Sequence, residues 1–122
     1  MVTEMKNEMK NKVNILGTEY TIKRPKAADD LKLDECDGYC DTSVKLIVVE
    51  DYEPDPKSKN DLEDYAKQVM RHEIIHAFMF ESGLDSNGLV TDGAWPRNEE
   101  MIDWFAIQSP KSFKAFKDVG CL

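Results

Sequence analysis

Arg71-His72-Glu73-Ile74-Ile75-His76-Ala77-Phe78-Met79-Phe80 sets two histidines four residues apart inside an apolar run. On an α-helix each residue turns about 100° around the axis, so His72 and His76 stand about 40° apart, one turn along one face. Two imidazoles so placed reach a single zinc ion at roughly 2.0–2.1 Å each. Glu73 sits about 100° from His72. That puts its carboxylate beside such an ion, where it can take a proton from a bound water. From Ile74 to Phe80 the residues are apolar nearly all round, His76 excepted. Such a helix is expected to be wrapped by protein and to form the centre of the fold.

The boundaries of this helix follow from its flanks. Asn60 is a suitable N-cap, and Glu63, three residues on, completes a capping-box-like pair. Asp61, Glu63 and Asp64 add negative charge at the positive end of the helix dipole. The helix is expected from about Asp61 to Ser82, with Gly83 as its stop. Ahead of it lies a polar, proline-interrupted loop, Glu53 to Lys59. Before that loop, Tyr39 to Glu50 reads as one strand centred on Val44-Lys45-Leu46-Ile47-Val48-Val49. This β-branched run predicts a well-buried strand, although the same residues also suit an edge along which an extended peptide pairs. Asp37-Gly38 offers a hairpin turn. Val13 to Ile22 alternates as a strand bent at Gly17, and Pro25 ends it because proline cannot donate to a sheet ladder. Ala27 to Leu33 suits a short helical turn, and residues 1–12 a frayed lead-in.

Downstream, residues 83–97 read as a connecting loop. Asn98 then caps a helix from Glu99 to about Gln108. Ser109-Pro110 has the form of an N-cap and first helical residue, which predicts a separate short C-terminal helix, Lys111 to Val119, anchored by Phe113 and Phe116. Trp95, Trp104 and Phe105 are expected to pack between elements. The expected fold is α+β: a small twisted sheet on the central helix, then a ligand-bearing helix and a short C-terminal one. All of it fits one domain over residues 1–122.

A formal net charge of −8 over 122 residues argues against a protein that grips phosphate backbones. No apolar run is long enough to span a bilayer. Met1 to Lys10 has no apolar segment of the secretory kind, so cytoplasm is the expected compartment. Cys36, Cys40 and Cys121 are an odd number and make no disulfide framework; they read as ordinary thiols.

A catalytic zinc site takes three protein ligands and keeps one position open. Both histidines of the chain are already used. The best third donor lies in Asn98-Glu99-Glu100-Met101-Ile102-Asp103. Glu99 and Asp103 are four apart and share a helix face, so Glu99 is expected to bind the metal while Asp103 accepts the outer N–H of a ligating histidine. Glu100 points about 100° away and ranks second. The competing reading makes His72 and His76 core histidines bonded to carboxylates without a metal. Burying two histidines beside three carboxylates with no cation is costly.

His72-Glu73-x-x-His76 followed by Asn98-Glu99-x-x-x-Asp103, with residues 77–98 between the second histidine and Glu99, resembles the gluzincin zinc metallopeptidases. The short length is similar to the minimal gluzincins, and the later helix to that of ImmA-type phage-associated peptidases. The wording around Arg71 to Phe78 also resembles small proteins of phages and prophages in Gram-positive bacteria. The motif-bearing part covers roughly residues 60–106. The resemblance implies a zincin-like fold and a peptide or protein substrate. It implies metal-assisted hydrolysis, with Zn2+ on His72, His76 and Glu99 and with Glu73 as general base. It also implies a Tyr or His donor for the oxyanion. No histidine is spare, which leaves Tyr39, Tyr52 and Tyr65. A non-catalytic zinc-binding regulatory or phage-assembly protein is the alternative.

Overall fold

The computed structural model describes residues 9–53, 62–84 and 98–122. Within them the chain forms a small α+β protein with a four-stranded mixed sheet and two helices. The expected cap at Asn60 and the expected loop anchor Trp95 lie outside the described residues.

Val13 to Ile22 is not one bent strand. Strand β1 (Lys12–Ile15) turns back on β2 (Thr18–Lys23) through Leu16 and Gly17, both at positive φ, 52° and 95°. That backbone twist is the one a two-residue hairpin needs. Asn14 Oδ1 accepts from the Gly17 N–H at 2.8 Å and helps close the turn. Ala27–Asp29 and Leu31–Asp34 follow as two short 3-10 turns in place of one.

The expected strand from Tyr39 to Glu50 is likewise a pair, β3 (Gly38–Asp41) and β4 (Leu46–Val49), joined antiparallel. Asp41 accepts from the Ser43 N–H and hydroxyl in the turn between them. Gly38 is not a turn residue. It pairs with Val49 at the start of β3, where an added Cβ would meet Val48 O at 2.7 Å and Val69 Cγ1 at 2.9 Å. The glycine lets the strand lie close under the first helix.

The sheet runs β1-β2-β4-β3, with β2 and β4 parallel. Strand β4 is therefore interior, in line with its expected burial, and cannot be a free peptide-pairing edge. Among the described residues the edge strands are β1 and β3. Helix α1 (Leu62–Glu81) packs on β1, β3 and β4. Ala66, Val69, Met70 and Ala77 meet Ile15, Tyr20, Ile22, Ile47 and Val49 in the core. The sheet and the second helix cover this helix on two sides, which makes it central as expected, and from His72 to Phe80 only Phe78, at 42%, is exposed. Gly83, at φ 88°, follows its end as the sequence predicts.

Glu81, at the last turn of α1, ties the helix to the first hairpin. Its carboxylate accepts from Lys45 Nζ at 2.8 Å, Tyr20 Oη at 2.7 Å and Thr18 Oγ1 at 3.2 Å. These donors, Lys45 first, hold its pKa below the ordinary carboxylate value. A depressed folded pKa stabilises above the unfolded pKa and is lost as pH falls through the folded one. Wild type is therefore expected to lose melting temperature below about pH 4, more steeply than Glu81→Gln. Parallel pH–melting curves for the two proteins would refute this.

Helix α2 spans Glu99–Val119 without a break, so there is no separate C-terminal helix. Asn98 caps it as predicted, accepting from the Met101 N–H at 2.9 Å. Pro110 stands inside the helix, where it lacks the N–H that Ala106 O would receive. That carbonyl accepts from Arg71 Nε of α1 at 2.5 Å. Only Ile102 and Ala106 of α2 are buried. Phe113 and Phe116, the expected anchors, are 54% and 43% exposed, and Trp104 and Phe105 are exposed too. The apolar packing ends with the first half of the helix. Among the described residues, no helix is long and apolar enough to cross a membrane.

Candidate metal centre

Helix α1 presents His72 and His76 one turn apart, with ring centroids 4.9 Å apart and Nε2 atoms 3.2 Å apart. The first turn of α2 brings Glu99 to them. Its Oε1 lies 2.9 Å from His72 Nε2, and its Oε2 lies 3.3 Å from His76 Nε2. Among the described residues, these three are the group whose donor atoms could hold a metal ion, all within 4.8 Å of one another. Ligands on a tetrahedral ion at 2.0–2.1 Å stand about 3.3 Å from one another. The observed spacings of 2.9, 3.2 and 3.3 Å lie at or just below that value.

Asp103, one turn beyond Glu99, meets the other side of His72, with Nδ1 to Oδ1 at 2.7 Å. An ionised carboxylate only accepts, so His72 Nδ1 carries the hydrogen. In a neutral ring of that tautomer the Nε2 lone pair faces His76 Nε2 and the Glu99 carboxylate. Acceptors facing one another at this range need a proton or a shared cation between them. A divalent ion there would satisfy all three donors at once, and the Asp103 bond would fix the tautomer that metal binding requires. Glu100 is exposed and does not line the cleft described below.

Glu73 is 6% exposed, the one buried charged side chain among the described residues. Burial is the first cause that pushes its pKa up to about 7; His72 opposes the rise, while Glu99 and Asp103 add to it. It shares with the histidines a cleft of about 700 Å³, bounded on the far side by β3 and the segment before it.

No protein-family model, curated protein or solved structure matches the chain.

The donor set and its surroundings therefore carry the functional argument. The expected oxyanion donors separate in space. Tyr39 and Tyr65 line the cleft, whereas Tyr52 does not. Tyr39 Oη donates to Asp30 at 2.5 Å, and Tyr65 Oη donates to Asp37. Gln68 also lines the cleft, one turn ahead of His72. Sequence reading passed over it, although the same four-residue spacing that joins the histidines puts it on their face. Cys36 and Cys40 reach the cleft as free thiols. Burial, with Glu73 nearby, pushes Cys40 up to about 12, and its sulfur is not among the donor atoms that come together at His72, His76 and Glu99.

Proposed function

We propose that this protein is a zinc-dependent peptidase of the zincin-like, gluzincin type, acting on a peptide or protein substrate. The observation that supports this reading best is the convergence of His72, His76 and Glu99 beside a buried glutamate in an open cleft. Zinc held there would supply Lewis acidity to a substrate carbonyl and acidify a water. Glu73 takes the proton of the attacking water and returns it to the leaving nitrogen. Asp103 holds His72 in the ligating tautomer. Among the described residues strand β3 is paired with β4 on one side only, which suits it to receive an extended peptide along its other edge. Among the described residues the cleft is lined by Asp37, Glu73, Glu99 and Asp103 and by no Lys or Arg, which favours substrates carrying basic side chains.

The second reading is a zinc-binding regulatory or phage-assembly protein that keeps the site without turnover. The engagement of the Tyr39 and Tyr65 hydroxyls by Asp30 and Asp37 favours it. Metal analysis of protein purified without added metal is the first test of both. Close to one zinc per chain is expected at neutral pH, and a chain free of zinc that also fails to take it up on titration would end both readings.

A further inference from the structure

Helix α2 buries only Ile102 and Ala106, two side chains that do little to fix how far it slides along α1. A metal site tolerates little such sliding, because its donors must be held to within about 0.5 Å. Three of the cross-helix links, His72 to Glu99, His76 to Glu99 and His72 to Asp103, belong to the site itself. They are made by the same side chains that would bind or orient the ion, so they give the site no anchor outside itself.

A fourth link does not involve the site's side chains. Pro110 removes the one backbone donor that Ala106 O would have within α2. Ala106 is 1% exposed, so water is a poor substitute, and a buried carbonyl left unpaired is costly. Arg71 supplies the missing donor from α1, and it is the residue directly before His72. On α2, Ala106 lies three residues beyond Asp103 and seven beyond Glu99, on the face they share.

We propose that Arg71 and Pro110 together set the register of the two ligand-bearing helices, Pro110 by vacating the Ala106 carbonyl and Arg71 by occupying it. Arg71 is thus a positioning residue for Glu99 and Asp103, an assignment that rests on the metal-site reading above. The proline in mid-helix, which costs α2 a hydrogen bond, gains a purpose. It makes the carbonyl available to one side chain at one height along the neighbouring helix.

The test compares Arg71→Met, Pro110→Ala and the double variant for melting temperature of the metal-free protein, Zn2+ affinity by chelator competition, and the visible spectrum of the Co2+-loaded protein. Arg71→Met is expected to lower the melting temperature and to weaken zinc binding by about 10-fold or more, the range seen when an outer partner of a metal ligand is removed. Pro110→Ala restores the helical donor to Ala106. In the double variant the melting temperature is therefore expected to recover while zinc affinity stays low and the Co2+ spectrum stays altered. Wild-type affinity in Arg71→Met would overturn the proposal. So would recovery of both properties in the double variant, because Arg71 would then merely satisfy a carbonyl. Should Arg71→Met fail to fold, the double variant, with Ala106 satisfied, carries the affinity comparison. Should wild type bind no zinc, the metal reading fails separately. The register lock is then judged on melting alone, and an equal loss from Arg71→Met with and without Pro110→Ala would sink it.

Discussion

Glu73→Gln is expected to keep its zinc and to lose at least about 100-fold in peptide hydrolysis, the lower end of what a positioned general base contributes. The side chain is 6% exposed and packs beside His72, so the amide preserves volume and burial while removing the ability to take a proton. Histidine ligands, the Glu99 donor and the Asp103 contact are untouched by the change. Retained zinc with lost turnover assigns Glu73 to the chemistry. Equal activity in the two proteins would refute the assignment, and lost zinc would make Glu73 a structural partner of the ligands.

The same substitution carries a second expectation that needs no substrate. In the metal-free protein the Glu73 pKa is raised from 4.5 to about 7, chiefly by burial. A carboxyl raised on folding stabilises fully below its unfolded pKa and loses that contribution as pH rises through its folded one. At about 1.4 kcal/mol per pH unit, deprotonating Glu73 in place costs the metal-free fold about 3 kcal/mol above pH 7. Glu73→Gln has no charge to bury. Its metal-free form is therefore expected to melt higher than wild type at pH 8, and the difference should shrink toward zero below pH 4.5. A constant difference across that range would mean that Glu73 is not a buried titrating carboxyl. For hydrolysis the sign is opposite, since the base must be ionised: activity should rise with pH as Glu73 loses its proton.

The parts of the molecule legible in the sequence are those governed by spacing along one helix. His72, His76 and the Glu99–Asp103 pair follow from a four-residue period, and the structure brings all four together. The Asn98 cap and the Gly83 stop are equally local. What escaped is non-local or runs against preference. Leu16 occupies a positive-φ turn position where a leucine is disfavoured, so one apparent strand concealed a hairpin. Val44 looked like the start of a buried strand but lies in the β3–β4 turn, because Asp41 and Ser43 close that turn through a side chain. Ser109-Pro110 carries the local signature of a helix start. Nothing within twenty residues of it shows that Arg71 is waiting for the carbonyl that the proline vacates. The cleft, likewise, needs the β3 edge to come beside α1, and only the lack of a Cβ at Gly38 hints at that approach.

Glu99→Ala is expected to weaken zinc binding by more than about 100-fold, beyond the range for outer partners of a metal ligand. Glu100→Ala should leave it nearly unchanged. The two glutamates are neighbours on the first turn of α2 and contribute alike to the negative charge at its positive end. A loss of helix stability or of general acidity would therefore appear in both variants. Only Glu99 has its carboxylate 2.9 Å from one imidazole and 3.3 Å from the other. Removing it strips a donor and leaves His72 and His76 as a two-ligand site, which matches neither a structural nor a catalytic zinc centre. Chelator competition on the two variants separates these effects, and circular dichroism confirms that both remain folded. Equal losses would reduce Glu99 to a helix-end charge. A larger loss at Glu100 would move the third ligand by one residue and turn α2 about 100° from the orientation described. That rotation would also carry Asp103 away from His72 and Ala106 away from Arg71, so this single comparison tests the register of the whole helix.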